Sequence, residues 1–211
     1  ESGVMIIPEC VNVKVANMTL RNGYSEGFGC TGGGGLLITA DDIYDMNQPP
    51  KTSTPIIENL IIKNNHSHNG GGLSFFNVDG PIVTNVKIQN NQCTFQGGGV
   101  YSYVSNVTMT DIEVMNNQSL GNEDAGGLGN GGGMMLIATG GVFTNFTISD
   151  NISPSFGGGI WASGESQIST YNSYPEWSIT NATISGNTAT YGGGIALSTW
   201  GDQDPSLSNV T

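Results

Sequence analysis

The phrase NATISGNTATYGGGIAL, from Asn181 to Leu197, returns in outline as NFTISDNISPSFGGGIW from Asn145 to Trp161. Such self-similarity constrains a chain more than its composition does, because residues that recur at one spacing must each find the same surroundings. Triple glycines followed by an apolar residue stand at Gly33 to Leu36, Gly70 to Leu73, Gly97 to Val100, Gly131 to Met134, Gly157 to Ile160 and Gly192 to Ile195. Most follow the same words: asparagine, an apolar residue, any residue, a second apolar residue, two more residues, and then a further asparagine. The pairs are Asn59 and Asn65, Asn85 and Asn91, Asn145 and Asn151, and Asn181 and Asn187. Asp111 to Asn117 repeats the phrase with Asp in first place. Asn17 opens the series with Gly23 where the second asparagine would stand, and Asn209-Val210-Thr211 begins it again.

The steps from Asn59 to Asn85 and from Asn85 to Asp111 are each 26 residues, inside the range of about 20 to 50 that marks stacked-unit architectures. The apolar residues alternate, as in Val86 and Ile88, Ile112 and Val114, or Phe146 and Ile148. That is the signature of short strands, and no stripe of helical period accompanies it. A third alternating piece precedes each first asparagine: Val13 and Val15, Ile57, Val83, Phe143, Trp177 and Ile179, and Leu207. The pattern predicts an all-β parallel β-helix with three short strands per rung and about seven rungs, each rung burying an inward face it cannot bury alone. The expectation is one domain over residues 1–211, cut from a longer chain, with insertions near 37–58, 118–130 and 161–180.

The repeated polar letters have structural readings. At the first asparagine the apolar alternation breaks, so the chain must bend there, and asparagine tolerates the left-handed conformation such a bend needs. Stacked asparagine side chains can also hydrogen-bond between rungs. The glycine triplet supplies free backbone geometry and leaves no Cβ to strike an equivalent residue one rung away. A phosphate cradle is the competing reading, but no triplet is followed by the Lys and Ser or Thr of a P-loop and none opens a helix.

An apolar residue three before the second asparagine, a small residue two after it, and then three glycines with Ile, Val or Leu make a pattern that resembles the repeats of chlamydial polymorphic outer-membrane proteins. The carriers are Ile148, Asn151, Ser153 and Gly157 to Ile160; Ile184, Asn187, Ala189 and Gly192 to Ile195; and Ile88, Asn91, Cys93 and Gly97 to Val100. Ile or Val stands here where that family has Phe, and Gly-Gly-Gly where it has Gly-Gly-Ala. The resemblance implies a right-handed parallel β-helix and, by analogy of fold, a surface-exposed adhesin.

Charge narrows the partners. Five Lys and Arg stand against 17 Asp and Glu, a net charge of -12, so nucleic acid would be repelled and is excluded as a partner. All five cations, Lys14, Arg21, Lys51, Lys63 and Lys87, lie in the first half. The chain contains no run of about 18 apolar residues that could cross a bilayer. Cys10 and Cys30 are a candidate disulfide in an oxidising compartment, while Cys93 sits inside the repeat and reads as a buried small residue.

Many β-helices cleave acidic polysaccharides, so Asp41, Asp42 and Asp45 in the first long insertion are the candidate catalytic carboxylates of an enzyme reading. Two carboxylates in unlike surroundings can divide acid and base roles. The same three, with Glu123 and Asp124, are candidate Ca²⁺ ligands or simply a solvated acidic loop. No other cofactor is expected. His66 and His68 could share an edge, but two ligands without a third make a poor metal site. Asn-X-Ser/Thr sequons occur at Asn17, Asn65, Asn106, Asn117, Asn145, Asn151, Asn181 and Asn209. These are glycosylation candidates for a secreted glycoprotein, and Asn106, out of phase with the repeat, is the cleanest. Trp161, Tyr171, Tyr174 and Trp177 in the last insertion either stack on sugars or pack on the rod.

The function expected from these features is a non-enzymatic extracellular scaffold, adhesin stalk or filament subunit at the cell surface. Its partners would be a further copy stacked end to end, other surface proteins, or glycans. A polysaccharide hydrolase or lyase and a glycan-binding module are the alternatives.

Overall fold

The computed structural model describes residues 3–25, 32–39, 50–121, 129–164, 176–198 and 205–211. Every strand pairing given for them is parallel, and strands that neighbour in space are one repeat apart in sequence. The long sheet is built from Val11–Arg21, Thr54–Lys63, Val78–Gln89, Asn106–Met115, Gly140–Ser149, Trp177–Ser185 and Ser206–Val210, with the short Lys51–Thr52 strand beside the third. A short-strand sheet stacks Met5–Ile7, Leu36–Thr39, Leu73–Phe76, Val100–Tyr103, Met134–Ile137, Ile160–Ser163 and Ile195–Ser198. Between them runs a narrow sheet of Tyr24–Ser25, His66–Asn69, Gln92–Gln96 and Gln118–Ser119. The chain therefore coils through three sheets per rung, and seven strands in the long sheet mark seven rungs.

The division of each rung differs in one respect from the sequence reading. The piece before the first asparagine and the piece after it are a single strand. Asn17, Asn59, Asn85, Asp111, Asn145, Asn181 and Asn209 all have φ between 52° and 59°, so the expected left-handed bend is present. Pairing nevertheless resumes on both sides of it: Thr110 faces Thr144 and Ile112 faces Phe146. One left-handed residue turns the strand without ending its ladder. On the first four rungs the third strand is the narrow one that precedes the glycines, and beyond Gln118–Ser119 that wall continues through single bridges of Gln118 with Ile152 and Ile152 with Thr188.

Inward residues from the long and short-strand sheets form one core. Leu60, Val86, Ile112, Phe146 and Ala182 stack at the position after the bend, and Leu73, Val100, Met134 and Ile160 approach from the opposite wall. Each buried Val, Ile, Leu or Phe contributes about 1.5–3 kcal/mol against its exposed state. Trp177, 2% exposed, packs edge-on against Phe143 at 6.2 Å and 70°. It belongs to the core, not to a sugar-facing insertion. Within the spans expected as insertions, residues 37–39, 51–52, 54–58, 118–119, 161–163 and 177–180 lie in strands.

The short-strand sheet is buried on both faces through its central strands, from Leu36–Thr39 to Met134–Ile137. Its side opposite the core carries Phe76, Tyr101, Tyr103, Met135 and Ile137, with half-buried Trp161 against them. Phe76 and Tyr103 stack at 5.2 Å across adjacent rungs. The corner that follows holds Asn77, Val104 and Ala138 at φ of 55°, 46° and 47°, a conformation that a β-branched residue adopts only at a cost.

Candidate functional site

The two asparagine phases perform different tasks, and this decides which residues remain for function. In the second phase the bend residue is the one before it: Asn22, Asn64, Asn90, Asn116, Asp150 and Gly186 have φ between 55° and 66°. The following side chain is thereby turned inward. Asn65, Asn91, Asn117 and Asn151 are buried, and each Oδ1 and Nδ2 is satisfied. Asn117 is typical. Its Oδ1 accepts from the backbone N–H and the side-chain Nδ2 of Asn91, both at 3.0 Å, while its Nδ2 donates to the Ile88 carbonyl at 2.9 Å and to Asn151 Oδ1 at 3.1 Å. Gly23, in the asparagine place of the first rung, joins the ladder by its backbone N–H, which donates to Asn65 Oδ1 at 2.9 Å.

The third glycine of each of the first five triplets faces this ladder. A Cβ on Gly99 would sit 2.9 Å from Asn117 Nδ2 and 2.7 Å from the Gly133 carbonyl oxygen, and Gly72 and Gly133 meet Asn91 and Asn151 in the same way. The glycine column exists so that the amide column fits. The reading of the triplets as structural stands, and the small inward residues Ser67, Cys93, Ser119 and Ser153 continue the narrow wall.

The first phase forms a second ladder on the outside. Asn59 donates to Asn17, Asn85 to Asn59, Asn145 to Asp111, Asn181 to Asn145 and Asn209 to Asn181, at 2.8–3.3 Å. An ionised Asp accepts but cannot donate, so the run lacks the bond from Asp111 to Asn85. Asp111→Asn supplies that donor, and its expected effect is a gain of about 0.5–1 kcal/mol, read as a rise in Tm of about 2 °C for a chain of this size.

The glycan candidates divide along the same line. Asn17, Asn106, Asn145, Asn181 and Asn209 are exposed, and Asn106 holds Asp79 Oδ1 at 2.9 Å. Asn65, Asn117 and Asn151 are enclosed with their amides doubly bonded. In this arrangement a glycan at any of these three would displace the inner ladder.

Cys10 lies half-buried with its thiol 3.9 Å from Ser53 Oγ, and Cys30, its partner in the candidate disulfide, lies outside the described residues. So do Asp41, Asp42, Asp45, Glu123, Asp124, Tyr171 and Tyr174. Among the described residues no three His, Cys, Asp or Glu side chains gather as metal ligands. No described helix is long and apolar enough to cross a membrane. Burial pushes the Cys93 thiol up to about 12. Iodoacetamide is expected to modify Cys10 in the native protein and to reach Cys93 only after unfolding, as peptide mass mapping would show.

The two histidines both lie in the narrow strand His66–Asn69, half-buried and each against an aromatic ring. His66 stacks on Tyr24 at 5.1 Å and shares a 3.3 Å contact between its Nε2 and Thr94 Oγ1, while His68 stacks on Phe95 at 5.4 Å. Burial holds His68 below its usual 6.5. Above that value both folded and unfolded chains are neutral there. As pH falls through it, the unfolded chain takes a proton that the folded one resists, so stability falls. Denaturant midpoints at about pH 7.5 and about pH 5.5 are expected to differ more for the native sequence than for His68→Leu.

Three of the five cations are paired across rungs or corners: Lys14 with Glu58 at 2.7 Å, Lys51 with Glu9 at 3.4 Å and Lys87 with Glu113 at 2.9 Å. Arg21 and Lys63 are not paired among the described residues. They face each other in register on the first two rungs, beside the Tyr24–His66 stack.

A solenoid of parallel rungs, three sheets to a turn and glycine-lined along one seam, is the architecture of the β-helix class. The family model described as "Right handed beta helix region" matches residues 2–211, and the chain belongs to the right-handed β-helix family. No curated protein and no solved structure matches it.

Proposed function

We propose that the chain is a non-enzymatic extracellular rod, a surface scaffold, adhesin stalk or filament unit. The observation that carries this reading is the use made of the repeated polar residues. Asparagines and glycines that would be the first suspects for chemistry are taken up in ladders that join each rung to the next along the described rod. What such a fold delivers is length and a regular surface, on which function rests with outward side chains and insertions.

Two experiments test it. Antibodies to the purified chain are expected to label unpermeabilised source cells, and labelling only after permeabilisation would overturn the extracellular placement. Incubation with a panel of uronic-acid and neutral glycans is expected to yield no cleavage. Turnover that is lost in Asp42→Asn would establish the enzyme reading instead.

A further inference from the structure

We propose that the corner of the first two rungs formed by Arg21, Lys63, Tyr24 and His66 binds the carboxylate-bearing end of a glycan. This gives the adhesive reading a partner chemistry and rests on that reading for its biological setting.

The first observation is an uncompensated like-charge pair. Arg21 and Lys63 are direct partners in the parallel ladder, an arrangement that destabilises a sheet. Neither is ion-paired among the described residues, although the three other cations all are. In a chain of net charge -12, acidic partners for two more cations would have been easy to place. At the outward positions of these columns the first three rungs carry Arg21, Lys63 and Gln89, then Tyr24, His66 and Gln92. No carboxylate stands among them. Two positive charges left facing outward in register are a receptor for an anion.

The second observation is what adjoins them. Only the left-handed corner residues Asn22 and Asn64 and the inward Gly23 and Asn65 separate the cations from Tyr24 and His66. Tyr24 is 39% exposed and its ring stacks on His66 at 15° between planes, and His68 and Phe95 repeat the pairing one step on. Aromatic faces beside ammonium and guanidinium donors suit a sugar ring with a carboxylate, the ring lying on the apolar face and the carboxylate held by the fork of Arg21. An acidic peptide would instead seek apolar pockets for its side chains, whereas the next outward positions of these two columns are the polar Gln89 and Gln92. The overall negative charge of the rod repels polyanions, so the ligand carries one carboxylate or few.

The test is a titration of the purified 211-residue chain at low salt with methyl glucuronoside, methyl glucoside and acetate, followed by NMR or calorimetry. The carboxylated sugar is expected to bind, more tightly than acetate, with the neutral sugar at least about tenfold weaker. Arg21→Gln with Lys63→Gln is expected to weaken it by about tenfold or more and to remove its salt dependence. Tyr24→Ala should weaken the sugar and leave acetate unchanged. Loss of binding cannot be laid to misfolding, since removing a like-charge pair should leave Tm unchanged or raised. Equal affinity for the two glycosides, or binding that survives the double substitution, overturns the proposal. An acidic hexapeptide that outcompetes the sugar overturns it too, in favour of a protein partner. Failure here leaves antibody labelling of cells intact, and binding without surface labelling would sink the adhesive reading alone.

Discussion

Asn117→Ala is expected to destabilise the rod by about 3–5 kcal/mol, because each buried polar group left without a partner costs about 1–3 kcal/mol. The groups orphaned are the Asn91 backbone N–H, one proton of Asn91 Nδ2 and the Ile88 carbonyl, and Asn151 Oδ1 loses one of its two donors. Asn117→Asp keeps the shape but replaces the donors with acceptors and buries a charge among them, so it is expected to do more damage. Asn145→Ala removes the same side chain from the outer ladder, where water replaces the lost partners, and is expected to cost less than about 1 kcal/mol. Equilibrium denaturation of the three variants checks the contrast. Equal losses at Asn117 and Asn145 would mean that the two phases are not inner and outer.

Gly98→Ala is expected to prevent the native stack, with a loss of more than about 3 kcal/mol, the upper end for overpacking. The added Cβ would press on the Gly132 carbonyl oxygen from one side and on the Gln118 backbone from the other, with its nitrogen 2.7 Å away. Backbone cannot rotate aside as a side chain does. Gly194→Ala, at the third glycine of the last triplet, is the control in this chain, since its Cβ would meet only Ile184 Cγ2 at 3.5 Å, an ordinary contact. Near-native circular dichroism and Tm are expected for Gly194→Ala, and a collapsed or aggregated product for Gly98→Ala.

The architecture was legible because the ladders are one-letter records of it. An asparagine held at φ near 55° on every rung, or a glycine that must admit its neighbour's amide, repeats wherever the geometry repeats. The inner and outer phases were harder to separate. The signal was the doublet in Asn64-Asn65, Asn90-Asn91 and Asn116-Asn117, in which the first residue makes the bend and the second is thrown inward. Other corners leave no such mark. Val104 and Ala138 adopt the left-handed conformation with side chains that give no hint of it, held there by packing against Tyr103 and Ile137. The central strands of the short-strand sheet are buried on both faces, because a second, partly aromatic layer forms by contacts between rungs, which the letters of a single rung do not record.

The candidate site shows the same limit. Arg21 and Lys63 lie 42 residues apart, and nothing in the chain marks them as a pair until the register places them side by side. Sequence reasoning went to the acidic and aromatic insertions, where periodicity ends, and so to residues for which the repeat supplies no coordinates. Trp177 illustrates the hazard: an aromatic next to an insertion proved to be the largest side chain of the core.

Side-chain amide hydrogen exchange tests the central claim most directly. If successive rungs share an interior amide ladder, the Nδ2 protons of Asn65, Asn91, Asn117 and Asn151 exchange slower than those of Asn145 and Asn181 by about three orders of magnitude or more, since they open only with the rungs themselves. Exchange of all six at one common rate would show that the ladder does not exist and that the stack is joined some other way.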